Sequence, residues 1–337
     1  MDSAEIISMP VGLFPVLIFL VILRYMDSHQ LVGVRYVVSV IFCGGLAAIG
    51  SYFVNTFLAV IFSLESVQLT RYVAPLVEET LKASIVVWLL YRHRIGFLVD
   101  AAITGFAAGA GFALVENIYY LQLQTIDNPG VWIVRGFGTA IMHGGVTSIF
   151  AIVSQSLTEQ EMKINPILFL PGFVVAVIIH SVFNHFFLSP IIHTICVMIF
   201  LPPIIYVVFE KSSSSLSEWL HLDFDEDANL LAQINSGEFS SSKIGRFLTE
   251  LREKFEGPVV ADMLCYLRLY TELALRAKGI LMMREYGIDT EIEDDIKPML
   301  EELKYLEKSI GKVGVITLAP FLHFTRKDLW QLYLLAK

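Results

Sequence analysis

Long runs of apolar side chains dominate the first 210 residues of the chain. Because a helix needs about 20 apolar residues to cross a bilayer, these runs predict transmembrane helices. They cover residues 6–23, 37–62, 72–91, 97–121, 131–154, 166–187 and 190–209. The connections between them are short, and the last one, at Ser189-Pro190, predicts a tight hairpin. The pattern therefore predicts an all-α, polytopic membrane bundle of about seven transmembrane helices over residues 1–210.

Residues 211–337 have the pattern of a separate, soluble helical domain. They contain 37 Asp, Glu, Lys and Arg residues, against 20 in the longer apolar part. Apolar positions recur at helical spacing from Ile244 to Phe255, a second helical pattern covers about 259–286, and a third begins near Ile296 and stops at Gly311. We expect the Ser-rich segment Ser212–Ser217 to link this domain to the membrane part.

Charge refines the picture of location and partners. The net charge of -9 and the pI of about 5.4 exclude nucleic acid as an expected partner, since phosphate binding needs a basic surface. Lys and Arg concentrate in alternate connections, which predicts that the N-terminus lies outside and that residues 211–337 are cytoplasmic. The plasma membrane of a bacterium is the expected setting.

The third predicted span contains three charged residues, Glu78, Glu79 and Lys82. An ionised side chain at the centre of a bilayer costs about 2.5–3.5 kcal/mol, so these residues are expected to face the interior of the bundle. Lys82 follows the two carboxylates by three and four positions and can pair with either on one helix face. One carboxylate then stays unmatched, which favours a functional role over a purely structural one.

Three later spans carry further polar side chains, namely Glu116 with Asn117, the single His143, and His180 with Asn184 one helical turn later. A rise of 1.5 Å per residue places the carboxylates and His180 roughly 8–11 Å below the outer surface, with His143 deeper. Scattered structural hydrogen bonds would not be expected to coincide at one depth. The sequence therefore predicts one site in the outer half of the membrane.

Two arrangements suit this set of groups. In the first, Glu116, His143 and His180 hold a metal such as zinc, and Glu79 takes a proton from the attacking water. In the second there is no metal: Glu79 activates the water directly, while His143, His180 and Asn184 stabilise the oxyanion. The absence of a dense zinc motif such as HExxH favours the second arrangement.

The ordered motifs resemble those of the PrsW family of intramembrane proteases, which groups with the type II CAAX prenyl endopeptidases and the bacteriocin-processing proteins. In this chain they read Glu78-Glu79-x-x-Lys82, Phe112-x-x-x-Glu116-Asn117, His143 and His180-x-x-x-Asn184. The prenyl endopeptidases usually carry a histidine where this chain has Glu116, which argues against a prenylated substrate.

The resemblance implies a membrane-embedded endopeptidase that cuts a membrane-anchored protein near the outer face, as PrsW does with an anti-sigma factor. It implies Glu78, Glu79, His143 and His180 as the catalytic set, and it leaves zinc dependence open. Two other functions remain as alternatives. A proton- or ion-coupled transporter also uses buried charges, and an inactive relative could act as a membrane scaffold.

Overall fold

A computed structural model describes residues 3–123, 129–159, 164–236, 242–288, 295–322 and 326–335, with only the backbone of 3–7, 129, 243, 326–329 and 333. Every regular element in these residues is helical. The helices are α1 (Ser3–Met26), α2 (Val34–Ile61), α3 (Ser66–Gln68), α4 (Ala74–Tyr91), α5 (Leu98–Gln122), α6 (Pro129–Ile133), α7 (Ala140–Thr158), α8 (Leu170–His185), α9 (Pro190–Asn235), α10 (Lys243–Leu251), α11 (Gly257–Glu285), α12 (Ile296–Leu322) and α13 (Arg326–Leu335).

Six helical segments of the described residues are long and apolar enough to cross a membrane. They are Ser8–Met26, Val34–Ile61, Leu98–Gln122, Gly130–Thr158, Pro166–His185 and Pro190–Asn235. The segment predicted as the third span is also helical, but Glu78, Glu79 and Lys82 make α4 more polar than the other six. The all-α membrane bundle is confirmed, while the count of seven spans stays a prediction. The predicted break before Pro190 is present, since α8 ends at His185 and α9 begins at Pro190, and the tight hairpin stays a prediction.

Helix α5 is the most buried of the six. Burial covers 83% of its apolar stretch, against 33% for α2 and 28% for the segment that contains α8. Glycines allow its neighbours to approach, because a Cβ atom at Gly111 would meet the backbone of Ile41 in α2, and one at Gly109 would meet the backbone of His143 in α7. The close contact at Gly109 fixes the position of His143 relative to α5.

Two helices begin with a π-helical turn. Leu69–Val73 leads into α4, and Val134–Thr139 connects α6 to α7. A π-helical turn adds a residue to the turn and so rotates the side chains on one side of it relative to the other. These turns precede the charged residues of α4 and the histidine of α7, so they set the directions in which those side chains point.

The described residues divide into two compact units. Those up to Glu159 and from Ile164 to Ser213 form the membrane unit, and those from Ser214 onward form the second unit. The second unit has an apolar core of its own, which includes the fully buried Leu267, Leu273 and Leu318. This division lies three residues beyond the predicted boundary at 210/211.

Two details of the C-terminal part differ from the expectations. The Ser-rich segment Ser212–Ser217 is helical and lies within α9, because the buried Leu216 and Leu220 continue the apolar face of the helix and serine is only mildly unfavourable in it. The third predicted helix does break at Gly311, which has a positive φ of 66°, but helical structure resumes and continues to Leu322.

Candidate active site

Glu79 and Lys82 form a buried ion pair on one face of α4. Lys82 Nζ donates a hydrogen bond to Glu79 Oε1 at 2.5 Å, and the two side chains are 0% and 2% exposed. The spacing of three residues places both groups on the same side of the helix. The ring of Phe112 in α5 lies 4.6 Å from Lys82 Nζ and covers the pair. Mutual pairing therefore makes both charges compatible with burial.

His180 from α8 contacts both carboxylates of α4. Its Nδ1 lies 2.7 Å from Glu79 Oε1, and its Nε2 lies 3.8 Å from Glu78 Oε2. An ionised carboxylate only accepts hydrogen bonds, so Nδ1 is the nitrogen that carries the proton. In neutral His180 the lone pair is then on Nε2, on the side of Glu78.

His143 from α7 connects the ion pair to α5. Its Nδ1 lies 3.0 Å from Lys82 Nζ, and its Nε2 lies 3.2 Å from Glu116 Oε2. An ammonium group can only donate, so Nδ1 accepts and Nε2 donates to Glu116. The rings of His143 and His180 stand edge to face with centroids 4.7 Å apart. Groups from α4, α5, α7 and α8 therefore form one continuous polar cluster.

Arg135, in the π-helical turn before α7, extends this cluster towards α1. Its Nη2 lies 3.3 Å from Glu116 Oε1, and its Nε donates to Asn117 Oδ1 at 2.9 Å. The guanidinium carbon lies 3.7 Å from the centroid of the Tyr120 ring. Asn117 in turn donates from Nδ2 to the carbonyl oxygen of Gly12 at 2.7 Å. Asn117 therefore positions Arg135, which contributes the positive charge beside Glu116.

Asn184 connects α8 to the start of α4 and does not contact the two histidines. Pro75 has no N–H, so the carbonyl of Arg71 lacks the donor that an α-helix would provide. Ser181 Oγ donates to this carbonyl at 2.6 Å, and Asn184 Nδ2 donates to the neighbouring carbonyl of Thr70 at 2.9 Å. These contacts tether α8 to the start of α4, and the oxyanion contact expected of Asn184 stays a prediction.

A cavity of about 490 Å³ opens beside the cluster. The side chains of Glu78 and Glu116 line it and are 15% and 26% exposed, whereas Glu79 is 2% exposed and lies behind His180. Its walls come from α2, the start of α4, and α5, and they include Ser51, Tyr52, Asn55, Thr56, Thr70, Val115 and Tyr119. Glu78 is therefore the member of the carboxylate pair that a substrate in this cavity can reach.

Glu78, His143 and His180 are suited to hold a metal ion. Each offers one ligand atom, and these atoms lie within 4.8 Å of one another. Two nitrogen or oxygen ligands of one tetrahedral zinc ion lie about 3.4 Å apart, so the side chains would have to move towards one another. His143 would also exchange its contact with Lys82 or Glu116 for the metal. Two imidazoles and a carboxylate are a common donor set of catalytic zinc. The sequence predicted Glu116 where this group has Glu78. In the structure Glu116 contacts Arg135 and His143, and the choice between the two carboxylates as a metal ligand stays a prediction.

The structure brings together five of the residues predicted for the site, namely Glu78, Glu79, Lys82, His143 and His180, with Glu116 at its edge. The sequence prediction did not include Arg135 among the residues of the site. The signal was available, because an arginine inside a predicted span is itself a mark of a polar site.

Comparison with curated proteins and with solved structures gives no match. The sequence profile of one family, described as "PrsW family intramembrane metalloprotease", matches residues 33–208. The matched region contains the helices that supply the glutamates, Lys82 and both histidines, and it covers more than half of the chain. The chain therefore belongs to the PrsW family of intramembrane metalloproteases.

Proposed function

We propose that the protein hydrolyses a peptide bond of a membrane-anchored protein, such as an anti-sigma factor, near the extracytoplasmic face of a bacterial plasma membrane. The observation that carries this proposal is the contact of Glu78 with His180 at the cavity. A carboxylate and the lone pair of an imidazole face each other there, beside a space of about 490 Å³. This arrangement provides groups that can bind and deprotonate water next to a substrate.

Glu78 accepts the proton of the attacking water in this proposal, and it returns a proton to the departing amine. Glu79 acts indirectly, because its hydrogen bond to Nδ1 of His180 holds the imidazole with Nε2 towards Glu78. Lys82 keeps Glu79 ionised and supplies positive charge beside His143. The single N–H of neutral His143 is donated to Glu116, and it would have to leave this carboxylate to stabilise the oxygen on which negative charge develops.

A zinc ion would be held by Glu78, His143 and His180. Such an ion, when bound, supplies Lewis acidity that polarises a carbonyl group and lowers the pKa of water. Glu78 would then serve as a ligand, and Glu116 would be the carboxylate left at the cavity to accept a proton. The hydrogen bond from His180 to Glu79 keeps the imidazole oriented for the metal, as carboxylates commonly do for ligand histidines.

The activity is tested by comparing the N-termini of membrane proteins in cells that produce the wild type or Glu78→Gln. We expect new N-termini with the wild type and at least a hundredfold fewer with the variant, because the amide cannot accept the proton. Glu65→Gln, which changes an exposed carboxylate at the start of α3, serves as the control and should behave as the wild type. Matching profiles for all three proteins at equal abundance would reject the protease and favour ion-flux assays.

The ligand set is tested by metal analysis of the purified protein. We expect about one zinc per chain in the wild type, loss of zinc in His180→Ala and Glu78→Gln, and retention in Glu116→Gln. Loss in Glu116→Gln with retention in Glu78→Gln would restore the set expected from the sequence. An active preparation without metal would leave Glu78 as the general base.

A further inference from the structure

The cavity presents one side-chain amide from helix α2. Asn55 lies one turn after Ser51 in the largely apolar helix α2, and both residues line the cavity. Among the described residues, no donor lies within hydrogen-bond distance of Asn55 Oδ1, although this oxygen is shielded from solvent. A buried amide oxygen without a partner is unfavourable, and a ligand that offers an N–H would relieve it.

Three hydroxyl groups and one carboxylate around the cavity are already engaged. The hydroxyls of Ser51, Thr56 and Thr70 donate to backbone carbonyls three or four residues earlier, at 2.9, 2.8 and 2.9 Å. The carboxylate of Glu116 contacts His143 and Arg135. Asn55 therefore differs from these groups, because none of the described residues donates a hydrogen bond to its amide oxygen.

Peptide hydrolysis in a membrane creates a need for such a group. A transmembrane helix satisfies its own backbone hydrogen bonds, so a protease must open the helix around the bond that it cuts. The freed N–H and C=O groups then need partners, because lipid offers none. An asparagine side chain can accept from an N–H and donate to a C=O at the same time.

We propose that Asn55 binds the main chain of the opened substrate segment in the cavity beside Glu78. This inference rests on the proposed protease function and deepens it. The substrate class is an extended, uncharged peptide segment, since the walls of the cavity are mostly aliphatic and aromatic. Asn55 recognises its backbone and not a particular side chain, so it fixes the position of the scissile bond relative to Glu78.

The binding step is tested with the purified full chain in detergent micelles. The probe is a capped hexapeptide of alanine and valine that carries one photoreactive diazirine residue, and the yield of photolabelling is measured. We expect Asn55→Leu and Asn55→Ser to lower the yield at limiting peptide about tenfold, the effect of one lost hydrogen bond. The leucine removes the polar group, and the serine hydroxyl is expected to bond its own helix, as Ser51 does.

Two controls separate main-chain binding from a change in cavity shape. Thr56→Val alters the same cavity without removing a free group and should label as the wild type. A probe with N-methylated amides should label the wild type poorly and should no longer distinguish it from Asn55→Leu. Equal labelling of the wild type and both Asn55 variants by the first probe, whether high or low, overturns the proposal.

A parallel measurement of N-termini in cells distinguishes this proposal from the proposed function. If the wild type cleaves and labelling is equal in the wild type and both Asn55 variants, Asn55 is rejected as the binding group while the proposed protease function is retained. Reduced labelling in both Asn55 variants without any cleavage by the wild type rejects the protease and retains a peptide-binding cavity. Reduced labelling together with a spread of cleavage over neighbouring bonds supports both.

Discussion

Glu79 receives hydrogen bonds from two donors, Lys82 and His180, in the buried interior of the bundle. Its charge depends on these contacts, and Lys82 supplies the only full positive charge in direct contact with it among the described residues. Truncation of one member of a buried pair leaves the other uncompensated, whereas removal of both charges avoids this penalty. The pair is thus a matched unit in which neither residue tolerates change alone.

We therefore expect Lys82→Met to lower the free energy of unfolding by about 3–5 kcal/mol. The double variant Glu79→Gln with Lys82→Met should recover most of this loss, because the amide carries no charge and can still accept from His180. Thermal unfolding of the purified proteins in one detergent measures both effects. A double variant no more stable than Lys82→Met would show that the lysine acts by packing against Phe112 and not by its charge.

Asp27, in the connection between α1 and α2, predicts a pH dependence of stability. Burial raises the pKa of this carboxyl group from 3.8 to about 6, although the backbone N–H of Val32 donates to it at 3.3 Å. The folded protein thus binds this proton more tightly than the unfolded chain does. The resulting stabilisation is complete below pH 4 and is lost as the pH rises through about 6.

Asp27→Asn removes the charge and keeps an acceptor for Val32. We expect this variant to be more stable than the wild type above pH 6, by roughly 3 kcal/mol at most, and similar to it near pH 4. Unfolding temperatures between pH 4 and pH 8 provide the measurement, with Glu65→Gln as a control for an exposed carboxylate. A constant difference between Asp27→Asn and the wild type across this range would contradict the assignment.

At the level of individual residues, the sequence predicted most of the polar cluster for a simple reason. Charged and imidazole side chains are costly in apolar spans, so each of them stood out against its surroundings. The roles of individual carboxylates were not predictable, since Glu78 and Glu79 are adjacent and point about 100° apart. Which of them faces the cavity depends on the rotation of α4, and the same holds for the choice between Glu78 and Glu116 as a metal ligand.

The helices approach one another most closely where glycine replaces a side chain. A Cβ atom at Gly111 would collide with the backbone of Ile41, which can move only together with α2. At Gly50, also in α2, the nearest atom to such a Cβ is the flexible end of Leu81 at 3.6 Å, an ordinary contact. Chemically identical substitutions at these two positions should therefore have opposite effects.

Gly111→Ala is expected to lower the free energy of unfolding by about 1–3 kcal/mol, because α2 and α5 must separate. Gly50→Ala should leave it unchanged or raise it by up to about 1 kcal/mol through the better helix propensity of alanine. Thermal unfolding of the two purified variants compares them directly. Equal destabilisation by both would show that the spacing of α2 and α5 is not set at Gly111.

The sequence predicted the elements themselves better than their internal irregularities. Runs of apolar residues located the spans, but the two π-helical turns leave no mark in hydrophobic periodicity. The composition of the Ser-rich segment predicted a linker where the structure has a helix. The spacing of Phe209, Leu216 and Leu220 already indicated that the helix continues. Periodicity was the stronger signal there, since burial of apolar groups outweighs serine propensity.

Orientation belongs to the whole molecule and remains a prediction from the distribution of Lys and Arg. After replacement of Cys43, Cys196 and Cys265, a cysteine at the exposed Val67 should react with a membrane-impermeant maleimide in intact cells. A cysteine at the exposed Tyr25 should react only after permeabilisation. The reverse pattern would move the site to the cytoplasmic half of the membrane.

The second unit shows where sequence reasoning stops. Its helices and its core were predictable from apolar spacing, and α11 matches the expected range closely. The burial of Lys278, which donates to Asp227 at 2.7 Å, was not predictable, because this lysine is one of many charged residues in the domain. In the membrane unit, charged residues could be recognised because the surrounding sequence is apolar. The second unit is rich in charged residues throughout, so this difference in composition is missing.

The hydrogen bond from Asn117 to the carbonyl of Gly12 has a consequence for any shortened form of the protein. Gly12 precedes residues 33–208, so the family's borders exclude a group that the site depends on. A fragment trimmed to those borders would retain every charged side chain of the cluster but would lose the hydrogen bond that Asn117 donates to Gly12. Asn117 would then no longer be held in place to orient Arg135 towards Glu116. A fragment that preserves the whole cluster is therefore expected to be longer than the region by which the family is recognised, and to include the first helix.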